Sequence, residues 1–390
     1  MTYELSSTSW GQEELDAMQR VLRSGRFTMG EQVRLFEDAF AARFGMKHAV
    51  MVNSGSSANL VGIAALSYRS ERPLQRGDEV IVPAISWATT FHPLQQYGLR
   101  LRFVDVELDT LNMDASKLEA ALTPHTRMVV AVSILGNPAP LDRIRAFCDA
   151  HDLIMFEDNC ESMGASLNGQ LCGTFGDINT FSTFYSHHIS TMEGGLLVTN
   201  DTEIDHLARA IRNHGWARDV PRDSVVNQGQ EHDDPFFEAY RFVVPGYNVR
   251  PLELAGAVGI EQLKKLDDML AIRRRNAEHF VAVFGNDRRF IIQRENGSSS
   301  WFSFTMILNP AMDLNRAGVM DTLRKGDVQF RMITGGCFPQ HAAVRFFDYD
   351  IVGSIDNAKT AHERGFFVGN HPRDIRSELD HLRAVLNGVE

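Results

Sequence analysis

Lys47-His-Ala-Val-Met-Val52-Asn53-Ser54-Gly55-Ser56-Ser57-Ala58-Asn59-Leu60 passes from an apolar, β-branched run into small polar residues and then into a helix former. Strand, glycine turn and helix in that order form the repeating unit of an open α/β sheet. Four more runs read the same way: Asp78-Glu-Val-Ile-Val, Leu101-Arg-Phe-Val, Met128-Val-Val-Ala-Val and Leu153-Ile-Met-Phe, with helical patterns between them. Alternation of this kind predicts an α/β layer with a mainly parallel sheet. Ligands of such sheets gather at the carboxyl ends of the strands, where this chain places Asn53-Ser-Gly-Ser-Ser and Glu157-Asp-Asn.

The 390 residues exceed one ordinary core and suit two unequal lobes, and 44% hydrophobic residues is ample for burial. Leu252, Ala255, Val258, Leu263, Leu266, Leu270, Ala277 and Phe284 recur at core-like helical spacing, as one long amphipathic helix or two joined ones. The predicted organisation is therefore a large α/β domain over 1–250, a connecting helix over 251–285 and a smaller α+β domain over 286–390. Strand-like Ser300-Trp-Phe-Ser-Phe-Thr-Met-Ile-Leu and the helix ending His381-Leu-Arg-Ala-Val-Leu mark the last of these.

A net charge of -11 disfavours non-specific binding to nucleic acid or to an anionic membrane, while leaving room for a small anion in a local pocket. No run of eighteen apolar residues occurs, and Met1-Thr-Tyr-Glu-Leu-Ser has neither a basic nor an apolar leader region, so the expected location is the cytoplasm. Cys148, Cys160, Cys172 and Cys337 lack CxxC spacing, which argues against a disulfide framework and a metal site.

Four stretches carry candidate chemistry. The amides of Gly55, Ser56 and Ser57 at a helix start make a phosphate cradle, although an ordinary serine-capped helix fits the same residues. Asp158, in Phe156-Glu-Asp-Asn-Cys-Glu161, ends an apolar strand, where a carboxylate can hold a heteroaromatic nitrogen protonated or simply cap a helix. Trp87, in Ala84-Ile-Ser-Trp-Ala-Thr-Thr90, can stack on a flat ring or fill a core between lobes. Phe181-Ser182-Thr-Phe-Tyr-Ser-His187-His188-Ile-Ser-Thr-Met-Glu193-Gly194-Gly195 adds a serine hydroxyl and two histidines, bases of roughly neutral pKa.

Taken in order, these motifs resemble the DegT/DnrJ/EryC1/StrS sugar-nucleotide aminotransferase family of fold-type I pyridoxal-phosphate enzymes. The resemblance runs from Phe27-Thr-Met-Gly30-Glu-Gln-Val-Arg-Leu-Phe36-Glu37 through the loops above to Gly246-Tyr247-Asn248-Val249-Arg250-Pro251-Leu-Glu253. It implies the aspartate aminotransferase-like fold, a homodimer with shared active sites, and a pyridoxal or pyridoxamine phosphate cofactor. By resemblance, Gly55, Ser56, Ser57 and Ser182 serve the phosphate, Trp87 the ring plane and Asp158 the pyridine nitrogen. Glu161 stands where many relatives carry a glutamine, and Asn248 reaches across to the partner's cofactor phosphate.

In many members the Schiff-base lysine lies six residues before the glutamate of Glu-Gly-Gly, which here is His187, with His188 one residue off. Lys47, Lys117, Lys264, Lys265, Lys325 and Lys359 all lie outside the motif. This departure is similar to one branch of the family, which dehydrates GDP-4-keto-6-deoxy-D-mannose at C3 and carries histidine in the lysine's place. Tyr185-Ser-His-His-Ile, Glu157-Asp-Asn-Cys-Glu-Ser-Met-Gly, Pro93-Leu-Gln-Gln-Tyr-Gly and Gly369-Asn-His match that branch.

The resemblance implies noncovalent pyridoxamine phosphate, recharged by L-glutamate. His187 is expected to take a proton from the cofactor's C4′ and return it to the departing C3 hydroxyl. The products would be ammonia and GDP-4-keto-3,6-dideoxy-D-mannose, a step toward 3,6-dideoxyhexoses such as colitose in cell-surface polysaccharide. Arg250 would pair with a substrate carboxylate or pyrophosphate, or form an interface salt bridge, and His214 and Arg218 are further substrate-contact candidates. Two alternatives stay open: a nucleotide-sugar aminotransferase with an unusual base, and a catalytically silent cofactor-binding protein of the same fold.

Overall fold

The computed structural model describes residues 1–229 and 231–388, so the last two residues of the expected 286–390 domain lie outside it, and fourteen strands follow one another among the described residues. The first nine are β1 (His48–Val52), β2 (Glu79–Pro83), β3 (Arg100–Val104), β4 (Thr126–Val132), β5 (Ile154–Asp158), β6 (Ser166–Leu167), β7 (Gln170–Leu171), β8 (Ile178–Ser182) and β9 (Gly195–Thr199). The remainder are β10 (Phe290–Ile292), β11 (Ser303–Leu308), β12 (Phe330–Arg331), β13 (Tyr349–Ile351) and β14 (Gly365–Gly369).

Eight of them form one sheet in the order β1-β9-β8-β5-β4-β2-β3-β13. From β13 to β8 every neighbouring pair is parallel, and β9 runs antiparallel to both β8 and β1. The sheet is thus mainly parallel, as the fold-type I resemblance implies. Every residue of β2, β5, β8 and β9 is buried. Helices on both faces leave no solvent side for an alternating pattern, which is why residues 80–82 of β2 and 154–156 of β5 read as continuous apolar runs. Val80, Ile81 and Val82 are fully buried, each contributing about 1.5–3 kcal/mol of transfer free energy.

Register decides where the site falls. Val132 pairs with Asp158 and Asp158 with Thr180, so β4, β5 and β8 end at a common edge. Ser182 closes β8 two residues further along that edge.

A single helix of 32 residues, Glu253–Phe284, leads to the second sheet, an antiparallel one in the order β10-β11-β14-β12. The sequence left open whether this segment was one helix or two. Its first turn is tied to the N-terminal region: Glu253 accepts from the amides of Gly30 (2.6 Å) and Gln32 (2.7 Å). Phe280 stacks on Phe304 at 4.4 Å in the core beneath the second sheet. β13, which lies between β12 and β14 in the chain, pairs with β3 of the first sheet, and Tyr3 near the N-terminus bridges to Val328 just before β12. No helix among the described residues is long and apolar enough to cross a membrane.

Candidate active site

The common edge of β4, β5 and β8 opens into a cavity of about 520 Å³, a size suited to a small-molecule ligand. Gly55, Ser56, Trp87, Asp158, Ser182 and His187 all line it.

The cradle begins at Ser54, which caps the helix Gly55–Tyr68 by accepting from the Ser57 amide at 3.0 Å. The Ser57 hydroxyl donates to Asn53 Oδ1 at 2.6 Å, so Ser57 is spent on the turn and does not line the cavity. Gly55 and Ser56 do, at the positive end of the helix dipole. A Cβ on Gly55 would stand 2.7 Å from Ser182 Cβ and 2.8 Å from Cys160 Sγ, so glycine is what keeps this cradle open. Gly195 has a matching role, because a Cβ there would run into the backbone of Ser54 and Gly55.

Asp158 is 4% exposed, at the tip of β5. Its Oδ2 accepts from Asn59 Nδ2 at 2.9 Å and Thr90 Oγ1 at 2.8 Å, and its Oδ1 from the Cys160 amide at 3.1 Å. Asn59 is oriented in turn by Thr180 Oγ1, which donates to Asn59 Oδ1 at 2.6 Å. Three donors fix the plane of this carboxylate at the cavity floor.

Glu161 lies on the same wall and accepts from the Leu135 amide at 2.9 Å and the Thr334 hydroxyl at 3.3 Å. Leu135 (φ 50°) and Thr334 (φ 36°) both hold left-handed backbone, a strained arrangement for non-glycine residues. Burial, only partly offset by the Leu135 N–H and reinforced by the neighbouring Asp158 charge, pushes the Glu161 carboxyl up to about 7.

The structure separates the two histidines. The His187 amide donates to the Phe184 carbonyl at 2.9 Å, and its ring stands edge-on to Phe302 at 5.0 Å and to Phe184 at 5.7 Å. It faces the cavity, its Nδ1 has no partner, and burial followed by the Arg273 guanidinium holds the imidazole down at about 3. It is therefore neutral across the ordinary pH range. His188 turns away, with Nε2 against the Ser300 carbonyl at 3.2 Å, and is fully enclosed. The loop bearing both is pinched at its neck, where the Thr191 amide donates to the Thr183 carbonyl at 2.9 Å.

Trp87 precedes the helix Ala88–Gln96 and leaves 59% of its surface exposed on the wall, so its indole face is available to a ring. Asn248, Arg250, His214 and Arg218 lie outside this cavity. Arg250 donates to Asn248 at 3.1 Å, Asn248 bridges to Asn213 beside His214, and Arg218 lies over the Trp216 ring at 5.2 Å. Sequence reasoning missed Asn59, Thr90, Phe302 and Arg331. Thr90 lay within the quoted Trp87 stretch, whereas Phe302 and Arg331 belong to no readable motif.

The donor set fits pyridoxal phosphate: a glycine cradle that a Cβ would fill, a fixed buried carboxylate and an exposed indole face surround one cavity. The model of the DegT/DnrJ/EryC1/StrS aminotransferase family matches residues 8–387. The chain is 48% identical to a GDP-4-keto-6-deoxy-D-mannose 3-dehydratase of Escherichia coli O55:H7 over 387 residues, 99% of this chain and 100% of the relative. It superposes with a TM-score of 0.96, at 47% identity and covering 99% and 100% of the two chains, on a GDP-4-keto-6-deoxymannose-3-dehydratase holding a trapped pyridoxal phosphate–glutamate geminal diamine. A variant of the same enzyme, ColD, in which an adjacent serine and histidine are replaced by asparagine and lysine, superposes at 0.95 with 47% identity, covering 97% and 100%.

Proposed function

This chain belongs to the DegT/DnrJ/EryC1/StrS aminotransferase family, and within it we propose a pyridoxamine-phosphate-dependent 3-dehydration of GDP-4-keto-6-deoxy-D-mannose. The products are GDP-4-keto-3,6-dideoxy-D-mannose and ammonia, and L-glutamate regenerates the cofactor. One observation carries the reading: His187 faces the cavity where a lysine would be needed to bind the cofactor covalently, and no lysine lines that cavity among the described residues. The adjacent serine–histidine pair altered in the solved variant has one counterpart here, Ser186-His187.

When bound, the cofactor supplies an amine for the 4-keto carbon and an electron sink in its pyridinium ring. The Gly55 and Ser56 amides with the Ser182 hydroxyl would receive its phosphate, and Trp87 would stack on its ring. Asp158, held by Asn59, Thr90 and the Cys160 amide, would keep a proton on the pyridine nitrogen. His187 starts as free base, because burial and Arg273 keep it neutral. It accepts a proton at the nitrogen open to the cavity, and as the resulting imidazolium in an apolar setting it is a strong acid toward the departing C3 hydroxyl. One imidazole thus serves as base and then acid. A neutral histidine forms no lasting covalent link to a carbonyl, so the cofactor stays exchangeable.

We further propose a cytoplasmic homodimer with shared active sites, in which Asn248 reaches the partner's cofactor phosphate and Arg250, His214 and Arg218 contact substrate. Their place outside this chain's own cavity supports that reading, with His214, Arg218 and Asn248 exposed and Arg250 half-buried, as do the exposed aromatic side chains Phe236, Phe237, Tyr240 and Phe242 beside them. The division at 250 and 285 is likewise proposed.

Incubating the purified protein with pyridoxal phosphate, L-glutamate and GDP-4-keto-6-deoxy-D-mannose tests the function. Ammonia and a sugar nucleotide lighter by one oxygen are expected, and an accumulating amino sugar would move the protein to the aminotransferases.

A further inference from the structure

The cavity is acidic. Asp158, Glu161 and Glu193 line it, and Arg331 is the sole lysine or arginine on its wall among the described residues. Arg331 is exposed, sits on the edge strand β12 opposite Phe367 of β14, and forms no ion pair with another of the described residues. Among the described residues its guanidinium donates only to the carbonyl of its neighbour Phe330, at 3.0 Å. The other arginines near His187 are committed elsewhere: Arg273 is buried and donates to the carbonyls of Phe302 and Asn370, and Arg274 to those of Ser299 and Gly164.

We infer that Arg331 is an anion clamp shared by both substrates, taking a carboxylate of glutamate in one half-reaction and the diphosphate of the nucleotide sugar in the other. The inference rests on the functional reading above. Two anionic substrates must in turn reach the same end of the cofactor, glutamate with its amine and the nucleotide sugar with its keto carbon, past three carboxyl groups. A planar guanidinium pairs bidentately with carboxylate and phosphate alike, whereas an ammonium would act as a point charge. An arginine free of a carboxylate partner needs no ion pair broken before it binds either anion. One clamp for two anions also makes their binding mutually exclusive, which suits a reaction that takes its substrates alternately.

The test uses the full-length protein loaded with pyridoxal phosphate, as wild type, Arg331→Gln and Arg331→Lys. Calorimetry measures the Kd for GDP, and the absorbance change on conversion of the cofactor gives the half-saturating L-glutamate concentration. Loss of the charge-assisted contacts raises both in Arg331→Gln by about tenfold or more, with partial recovery in Arg331→Lys and competition between GDP and glutamate in the wild type. A wild type that responds to both ligands, with either value unchanged in Arg331→Gln, overturns the clamp alone. Should Arg331→Gln fail to fold, an Arg331→Lys protein matching wild type for either ligand does the same. A wild type inert to glutamate and blind to GDP overturns the functional reading and the clamp together.

Discussion

Replacing Glu161 by glutamine keeps the side-chain volume and the oxygen that accepts from the Leu135 amide at 2.9 Å, and removes the ionisable proton. The folded carboxyl is raised to about 7 from an ordinary 4.5, chiefly by burial. Below pH 4.5 folded and unfolded chains both carry the proton, so the group contributes no pH dependence. Between 4.5 and 7 the unfolded chain releases it and the folded chain does not. Wild-type stability from this group therefore falls as pH rises through that window and levels off above it. The gap sets a ceiling of about 3 kcal/mol, and the carboxyl's position on an open cavity wall lowers the expected effect to about 1–2 kcal/mol. Glu157, also raised to about 7, and His187, held at about 3, are common to both proteins and cancel in the difference. Urea unfolding of the cofactor-free proteins at pH 4.5, 6, 7 and 8.5 measures it, comparing midpoints because a chain of this size need not unfold in one step. The advantage of Glu161→Gln should grow from pH 4.5 to about 7 and then plateau. A difference that stays constant with pH would refute the reasoning.

His187→Asn should lower ammonia release at least about a hundredfold, since proton transfer by a positioned base contributes on that order. His187→Lys should retain cofactor through dialysis and divert product toward an amino sugar, which mass spectrometry reads directly. Gly195→Ala places a Cβ 2.5 Å from the Gly55 nitrogen and against the Ser54 carbonyl group. It should cost about 1–3 kcal/mol in urea unfolding and weaken cofactor retention, and a variant of wild-type stability and affinity would mean the cradle is looser than described. Trp87→Ala, at a residue 59% exposed, should leave the unfolding midpoint near wild type while raising the cofactor Kd about tenfold, the loss of a stacked aromatic face; equal losses of stability and affinity would make Trp87 a packing residue instead.

The strands read from β-branched runs are β1 to β5: β1, β2, β4 and β5 each hold an unbroken buried apolar stretch, whereas β3 alternates half-buried Arg100 and Arg102 with buried Leu101 and Phe103. β8 was not readable as a strand: Asn179 and Thr180 are polar yet fully buried, their side chains spent on the carbonyls of Gly176 and Val198 and on Asn59. β13 owes its place to tertiary ion pairs, Asp350 receiving Arg100 at 3.0 Å and Arg102 at 3.1 Å across the sheet. The run expected to begin at Ser300 becomes a strand only at Ser303, since the Ser300 and Phe302 amides are drawn to the carbonyls of Gly136 and Leu135 and Trp301 turns left-handed at φ 46°.

At the site, strand-end positions were legible because a parallel sheet puts its loops at one edge, which is where Gly55, Asp158 and Ser182 meet. The choice of His187 over His188 rested on the family's six-residue spacing to Glu193 and not on the residues themselves: one residue of register separates the two, and in the fold the packing of Phe302 and the Ser300 carbonyl sets them apart. Ser57 illustrates the opposite case, a cradle residue by spacing whose amide and hydroxyl close the helix cap instead.

The fate of the glutamate nitrogen tests the central claim most directly. With ¹⁵N-labelled L-glutamate, pyridoxal phosphate and GDP-4-keto-6-deoxy-D-mannose, the label should appear in free ammonia while the sugar nucleotide loses one oxygen and stays nitrogen-free at its sugar. Label retained in the sugar would contradict the account, because it would mean that the site with His187 in the lysine's place completes transamination after all.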